Sequence, residues 1–232
     1  MLRGVFFDMG GTLVTYTGTD DPWRAPVLEA IEREFGKRWW AEPLYAADIR
    51  RAKTDDPYRQ ETERWLAEWL RERRVDLDAG QIARLRRAFA RPLPTEFVPA
   101  AGAAEALAWC RASHLAVAVL TNTLSRGDTE VRGDFQQLGL DSLVDHLVTS
   151  YSTGWEKPHP AMFERGLAET GVAASEACMV GDSLEVDVAG AKGMGMRAIW
   201  VRARAAAVTD NARPDVEIES LRELPDAVRP WL

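Results

Sequence analysis

The run Gly4-Val5-Phe6-Phe7-Asp8-Met9-Gly10-Gly11-Thr12 constrains this chain more than any other part of it. Val5, Phe6 and Phe7 show no polar alternation, so a strand made of them has to be covered on both faces, as the strands of a parallel sheet are. Asp8 follows at once, and Gly10 and Gly11 let the backbone turn sharply and leave room for a ligand. An acid is thereby placed at the carboxyl end of a central strand, where open α/β sheets bind their ligands. Taken alone, the same turn also suits a structural Asp8 that accepts hydrogen bonds from the turn's own amides.

The chain then changes character. Residues 15–21 are polar and read as a connection, and after Pro22 the apolar residues recur with helical spacing. Val27, Leu28, Ile31 and Phe35 form one stripe, ended by Gly36. Leu44, Tyr45 and Ile49 form a second that starts near Pro43, and Trp65, Leu66, Trp69 and Leu70 form a third within residues 55–74. Asp78 and Gln81 have the spacing of a capping box and open a fourth helix, with Ile82, Leu85 and Phe89 facing one way and Pro92 at its end.

From Phe97 onward short apolar strands alternate with helices, the pattern of βα units around a parallel sheet. Strands are expected at 115–120, 146–149, 178–180, 198–201 and 216–218, with a loop over 151–158. The expectation is an α/β chain in which residues 1–15 and 97–232 form one parallel-sheet unit and residues 16–96 a helical bundle inserted after its first strand.

In such a sheet the carboxyl ends of all strands share one edge, so Asp8, Thr121 with Asn122, Lys157 and Asp182 with Asp187 can line a single crevice. Asp182 falls in the turn Gly181-Asp182-Ser183 and Asp187 in the first helical turn beyond it, so both carboxylates can reach toward one cation. Carboxylates gathered in one crevice repel one another unless a cation neutralises them, and oxygen-only ligands suit Mg²⁺. Lys157, Thr121 and the backbone amides after Asp8 would supply donors for a phosphate's other oxygens. Each of these residues has an ordinary structural reading by itself; all of them at matched strand ends, in this order, do not.

Composition removes other classes. The net charge is -7 and the arginines are interleaved with glutamates, so no nucleic-acid surface is expected. No stretch approaches the roughly 20 apolar residues that span a bilayer, and no signal segment is visible, so a cytoplasmic protein without membrane partners is expected. Cys110 and Cys178 lie in apolar contexts without CxxC spacing and read as reduced packing residues. His114, His146 and His159 have no ligand spacing, which argues against zinc.

Over its whole length the chain resembles the haloacid dehalogenase-like hydrolases. Asp8-Met9-Gly10-Gly11-Thr12 is similar to that family's first motif, Thr121 to its second, Lys157 before Pro158 to its third, and Gly181-Asp182 with Asp187 to its fourth. The resemblance implies a Rossmann-like three-layer core with residues 16–96 as an α-helical cap. It implies Mg²⁺ held by Asp8, the Gly10 carbonyl oxygen and Asp182, with Asp187 in support. It also implies a phosphohydrolase acting on a small phosphorylated metabolite, with Asp8 as nucleophile, Thr121 and the Asn122 amide on the phosphoryl oxygens, and Lys157 steadying nucleophile and intermediate.

The chain departs from the pattern at Gly10, where the family's phosphatases usually carry an Asp that serves as acid and base. Asp20 or Asp21 could substitute. A phosphonatase using Lys53 and a non-catalytic binder of phosphorylated ligands are the alternatives. Trp39-Trp40, Trp155 and His159 are candidate pocket aromatics; the substrate and the oligomeric state are not legible.

Overall fold

The computed structural model describes residues 1–54, 59–202 and 213–232. Asp55, one bound of the third helical stretch, lies outside the described residues. The elements run β1 (Gly4–Phe7), β2 (Val14–Tyr16), α1 (Arg24–Phe35), α2 (Ala41–Arg51), α3 (Thr62–Arg71), α4 (Ala79–Phe89), β3 (Phe97–Pro99), α5 (Ala103–Ala112) and β4 (Ala116–Thr121). They continue with α6 (Asp128–Gln137), β5 (His146–Thr149), α7 (Ser150–Thr153), α8 (Pro160–Thr170), β6 (Ala177–Gly181), α9 (Ala189–Gly193), β7 (Arg197–Val201), β8 (Val216–Ile218) and α10 (Leu224–Val228).

Six strands form one sheet in the order β5-β4-β1-β6-β7-β8, every neighbour parallel. The chain leaves β1 for β4 and β5 on one side and returns to β6, β7 and β8 on the other. The order therefore reverses at β1, and the crevice of such a sheet opens at that reversal. Phe7 is in register with Val119 on one side and Val180 on the other, which puts Asp8 level with the last residues of β4 and β6.

The uninterrupted apolar strands are explained by two cores. Val5, Phe7, Val117, Val119, Cys178 and Val180 face one layer with α5, α6 and α10, whereas Phe6, Ala118, Leu120 and Met179 face the other with α8 and α9. Successive side chains point to opposite faces, so a strand covered twice can carry no polar position. Phe6 and Phe7 are both fully buried, each contributing about 1.5–3 kcal/mol from burial. This three-layer α/β core is the Rossmann-like arrangement expected. Cys110 and Cys178 are free and buried in it.

The helices α1 to α4 surround a third cluster of their own, built by Val27, Ile31, Leu44, Leu66, Trp69, Leu70, Ile82, Leu85 and Phe89 among others. The capping box of α4 forms fully: Gln81 N donates to Asp78 Oδ1 at 2.8 Å and Asp78 N to Gln81 Oε1 at 2.9 Å. Helix α2 begins two residues before Pro43, whose missing N–H would have had no helical partner in the first turn.

Two segments differ from expectation. Thr15 and Tyr16, expected in the connection, belong to the strand Val14–Tyr16, which pairs antiparallel with Phe97–Pro99 so that a two-stranded ribbon stands at the root of the helical insertion. Residues 151–153, expected as loop, belong to the helical turn Ser150–Thr153, because the Thr149 hydroxyl accepts from Ser152 N and Gly154 closes the turn in the left-handed region.

Candidate active site

Three strand ends deliver the site. Asp8 leaves β1 with its amide donating to Val180 O at 2.9 Å, which ties its backbone to β6. Its carboxylate Oδ1 accepts from Lys157 Nζ at 2.6 Å, and the same ammonium donates to Asp187 Oδ1 at 2.8 Å. Asp8, Asp182 and Asp187 each present a carboxylate oxygen within 4.8 Å of the others. Asp8, Thr121, Lys157 and Asp187 are buried, and Asp182 is half-buried.

Two glycines allow this crowding. Gly11 has φ +82°, and a Cβ there would lie 2.2 Å from Asp182 Oδ2. At Gly181 a Cβ would lie 2.3 Å from Asp187 Oδ2. Gly11→Ala is therefore expected to destabilise the protein by about 1–3 kcal/mol from conformation alone. A thermal melt should fall by about 2–4 °C per kcal/mol; an unchanged melting temperature would contradict the close approach. Gly10 is different: it is exposed and a Cβ there meets nothing within 4 Å.

Asp187 lies in a helical turn, as expected, and that turn, Leu184–Val188, is π-helical. The wider turn, with Val188 N donating to Ser183 O at 3.1 Å, brings the Asp187 carboxylate back over Gly181, where its Oδ2 accepts from Ser183 N at 3.1 Å.

Charge in this cluster is unbalanced. Burial pushes the Asp8 carboxyl up to about 6, with Lys157 pulling the other way and Asp187 adding repulsion. Asp182 is raised by burial and by Asp187. Burial pulls the Lys157 ammonium down, but Asp8 and Asp187 outweigh it and hold it above its usual value. Among the described residues one ammonium thus faces three carboxylates. Oxygens this close, short of one positive charge or more, fit a hard divalent cation, whose opposed ligands at 2.0–2.1 Å lie about 4 Å apart.

Asn122 has a role that spacing did not suggest. Its side chain donates to Lys157 O at 3.1 Å and accepts from Lys157 N at 2.9 Å, binding the lysine's loop to the end of β4. The neighbouring Glu156 accepts from Arg59 and Gln60 of the helical insertion. Arg86 of α4 reaches the core as well, donating to Ser125 O at 2.8 Å and Glu130 Oε1 at 2.7 Å.

Asp20 is exposed. Asp21 is engaged, accepting from Trp23 N at 3.0 Å and Tyr45 Oη at 2.7 Å. Lys53 is exposed, whereas an amine activated for Schiff-base chemistry is desolvated or set beside another cation. Trp40 is buried in the helical cluster while Trp39 is exposed, and Trp155 stacks on His159 with centroids 4.0 Å apart. Among the described residues no helix is long and apolar enough to cross a membrane.

A family model described as haloacid dehalogenase-like hydrolase matches residues 2–195. The ribulose-1,5-bisphosphate 5-phosphatase of Halopiger xanaduensis is 31% identical over 245 residues, covering 98% of this chain and 100% of that enzyme. The phosphoserine phosphatase of Thermus thermophilus is 37% identical over 118 residues, 51% of this chain and 46% of that one. A solved 2-haloacid dehalogenase from Pseudomonas syringae pv. Tomato DC3000 shares the fold, with a TM-score of 0.69 and 24% identity over 100% of both chains.

Proposed function

This chain belongs to the haloacid dehalogenase-like hydrolases, and from that membership we propose that it is a Mg²⁺-dependent phosphatase of a small phosphorylated metabolite, working through an aspartyl phosphate. The observation that carries the reading is the Asp8–Lys157–Asp187 contact beside Asp182 at the point where the strand order reverses.

In the proposed reaction an Asp8 carboxylate oxygen attacks phosphorus. The new O–P bond forms as the bond to the leaving oxygen breaks, and the leaving group departs with that electron pair. Water then attacks the aspartyl phosphate, regenerating the Asp8 carboxylate and releasing inorganic phosphate. Lys157 holds Asp8 in place and offers its charge to the transferred group; Thr121 and the Asn122 backbone amide bind phosphoryl oxygens. Asp8, the Gly10 carbonyl oxygen and Asp182 would hold Mg²⁺, with Asp187 in support. When bound, the ion screens the nucleophile from the phosphate and stabilises charge on the group in transfer. Residues 16–96 serve in this reading as a cap over the crevice, joined to the core by the Arg59, Gln60 and Arg86 contacts.

Gly10 offers neither acid nor base, so leaving groups that depart without a proton are favoured. Phosphate release from acyl, aryl and sugar phosphates, with Mg²⁺ and with EDTA, tests the proposal; no Mg²⁺-dependent release from any class would leave a binding protein instead.

Lys157 also provides a test of the cation. Lys157→Met removes the ammonium between Asp8 and Asp187, and breaking such a buried pair costs about 3–5 kcal/mol. In EDTA the variant is expected to melt well below the parent, and Mg²⁺ should raise its melting temperature by more than the parent's. Equal shifts, or none, would argue against a cation among these carboxylates.

A further inference from the structure

A cleft of about 260 Å³ lies between the helical insertion and the loop that follows β4. Trp23, Val27, Ile49 and Phe89 supply its apolar wall, and Ser125 and Arg126 its polar end. It begins at Asn122, the residue after the strand-end Thr121, and Asn122 is the side chain that clasps Lys157, whose ammonium touches Asp8. Asn122 follows the end of β4, the strand paired with β1, so this end of the cleft lies one strand over from Asp8.

Two observations define what it can hold. Ser125 lines the cleft and is only 5% exposed, and its Oγ is itself buried without a hydrogen-bond partner. Arg126 Nε is likewise buried and unpartnered. A buried hydroxyl without a protein partner is costly, and a water or a ligand group can satisfy it. The charges, by contrast, are already matched. The Arg126 guanidinium is paired with the fully buried Asp134 and lies over the Trp23 ring at 5.4 Å, and Asp48 Oδ1 accepts from Arg51 at 2.7 Å. Among the described residues Asp48 and Arg126 are the charged groups that line the cleft, so a second phosphate entering it would meet a carboxylate and a cation already engaged.

Resting on the phosphatase reading above, we propose that this cleft receives the leaving group and selects single-ring aryl phosphates, uncharged apart from the phosphate and bearing one hydrogen-bond acceptor for Ser125 and Arg126. A cavity of about 150 Å³ suffices for benzene, so this volume accommodates one substituted ring. The apolar wall and the absence of an acid at Gly10 agree, because an aryl oxygen departs more readily without a proton than an alkyl one.

The test uses 4-acetylphenyl phosphate and 4-ethylphenyl phosphate, alike in shape and different in one carbonyl oxygen. Comparing the parent with Ser125→Ala across both substrates cancels their intrinsic reactivity. Loss of one hydrogen bond predicts that kcat/KM falls roughly 2- to 12-fold more for the acetyl than for the ethyl compound, mainly through KM. Ser125→Ala should also melt no lower than the parent, since deleting an unpartnered hydroxyl removes a cost; a hydroxyl with a structural role would give a lower melt. Ile49, 38% exposed at the cleft's mouth, can be enlarged without entering the core, and Ile49→Trp should lower kcat/KM for both aryl substrates relative to acetyl phosphate.

Equal losses on the two aryl compounds, or faster turnover of a sugar bisphosphate than of either, would overturn the inference while leaving the phosphatase standing. No phosphate release from any substrate would remove both.

Discussion

Asp8→Asn is expected to lower Mg²⁺-dependent phosphate release by about 10⁴-fold or more, the scale on which deleting a nucleophile acts elsewhere. The amide has the shape of the carboxylate but cannot form the aspartyl phosphate, so substrate binding can survive while turnover does not. The variant should fold. Asp8 is pushed up to about 6 mainly by burial, so its folded pKa exceeds its unfolded one. A carboxyl shifted in that direction contributes most when protonated, and its contribution declines as pH rises from the unfolded value through about 6. At pH 7 the ion is held at a cost that a neutral amide escapes, so without metal Asp8→Asn should melt at or above the parent. Phosphate release within tenfold of the parent, from a preparation free of amide reversion, would mean that Asp8 is not the attacking group.

Gly10→Asp is expected to act in the opposite direction. Adding a positioned acid and base is worth about 10²- to 10⁴-fold, and the gain should appear on alkyl phosphates, whose leaving oxygen needs a proton, far more than on aryl phosphates. Space permits it: a Cβ at position 10 meets nothing within 4 Å, and the backbone there does not have the positive φ of Gly11. Initial rates on a matched alkyl and aryl pair, with the melting temperature measured alongside, decide the matter. Alkyl turnover that stays level or drops in a folded Gly10→Asp protein would show that another group already supplies the proton.

Much of this architecture can be read from the chain because each core strand states its own burial. Val5-Phe6-Phe7 and Val117-Ala118-Val119-Leu120 carry no polar residue, and only a doubly covered strand tolerates that. Asp8 was legible for the complementary reason, as a polar group where such a strand ends, and Lys157 and Asp187 as polar groups in the segments that follow β5 and β6. What escaped notice depends on partners far away in sequence. Val14–Tyr16 becomes a strand only by pairing with Phe97–Pro99, and three residues carry too little alternation to announce it. The bonds between Asn122 and Lys157 join two loops 35 residues apart, and an Asn after a strand gives no hint of its partner. Ser125 is equally silent: its significance lies in a bond it does not make. Gly181 before Asp182 did offer a signal for Asp187, since a glycine ahead of an acid invites a carboxylate to lie against bare backbone.

The two glycines after Asp8 stand under opposite constraints, one pressed against the Asp182 carboxylate and its neighbour facing open space. Every glycine codon is a single nucleotide from an acidic one, so descendants of this gene can acquire or shed a carboxyl group close to Asp8 without rebuilding the surrounding loop. Chemical repertoire can drift at the first glycine while the second stays frozen, and lineages of this enzyme should diverge in leaving-group preference sooner than in the carboxylates gathered around Asp8.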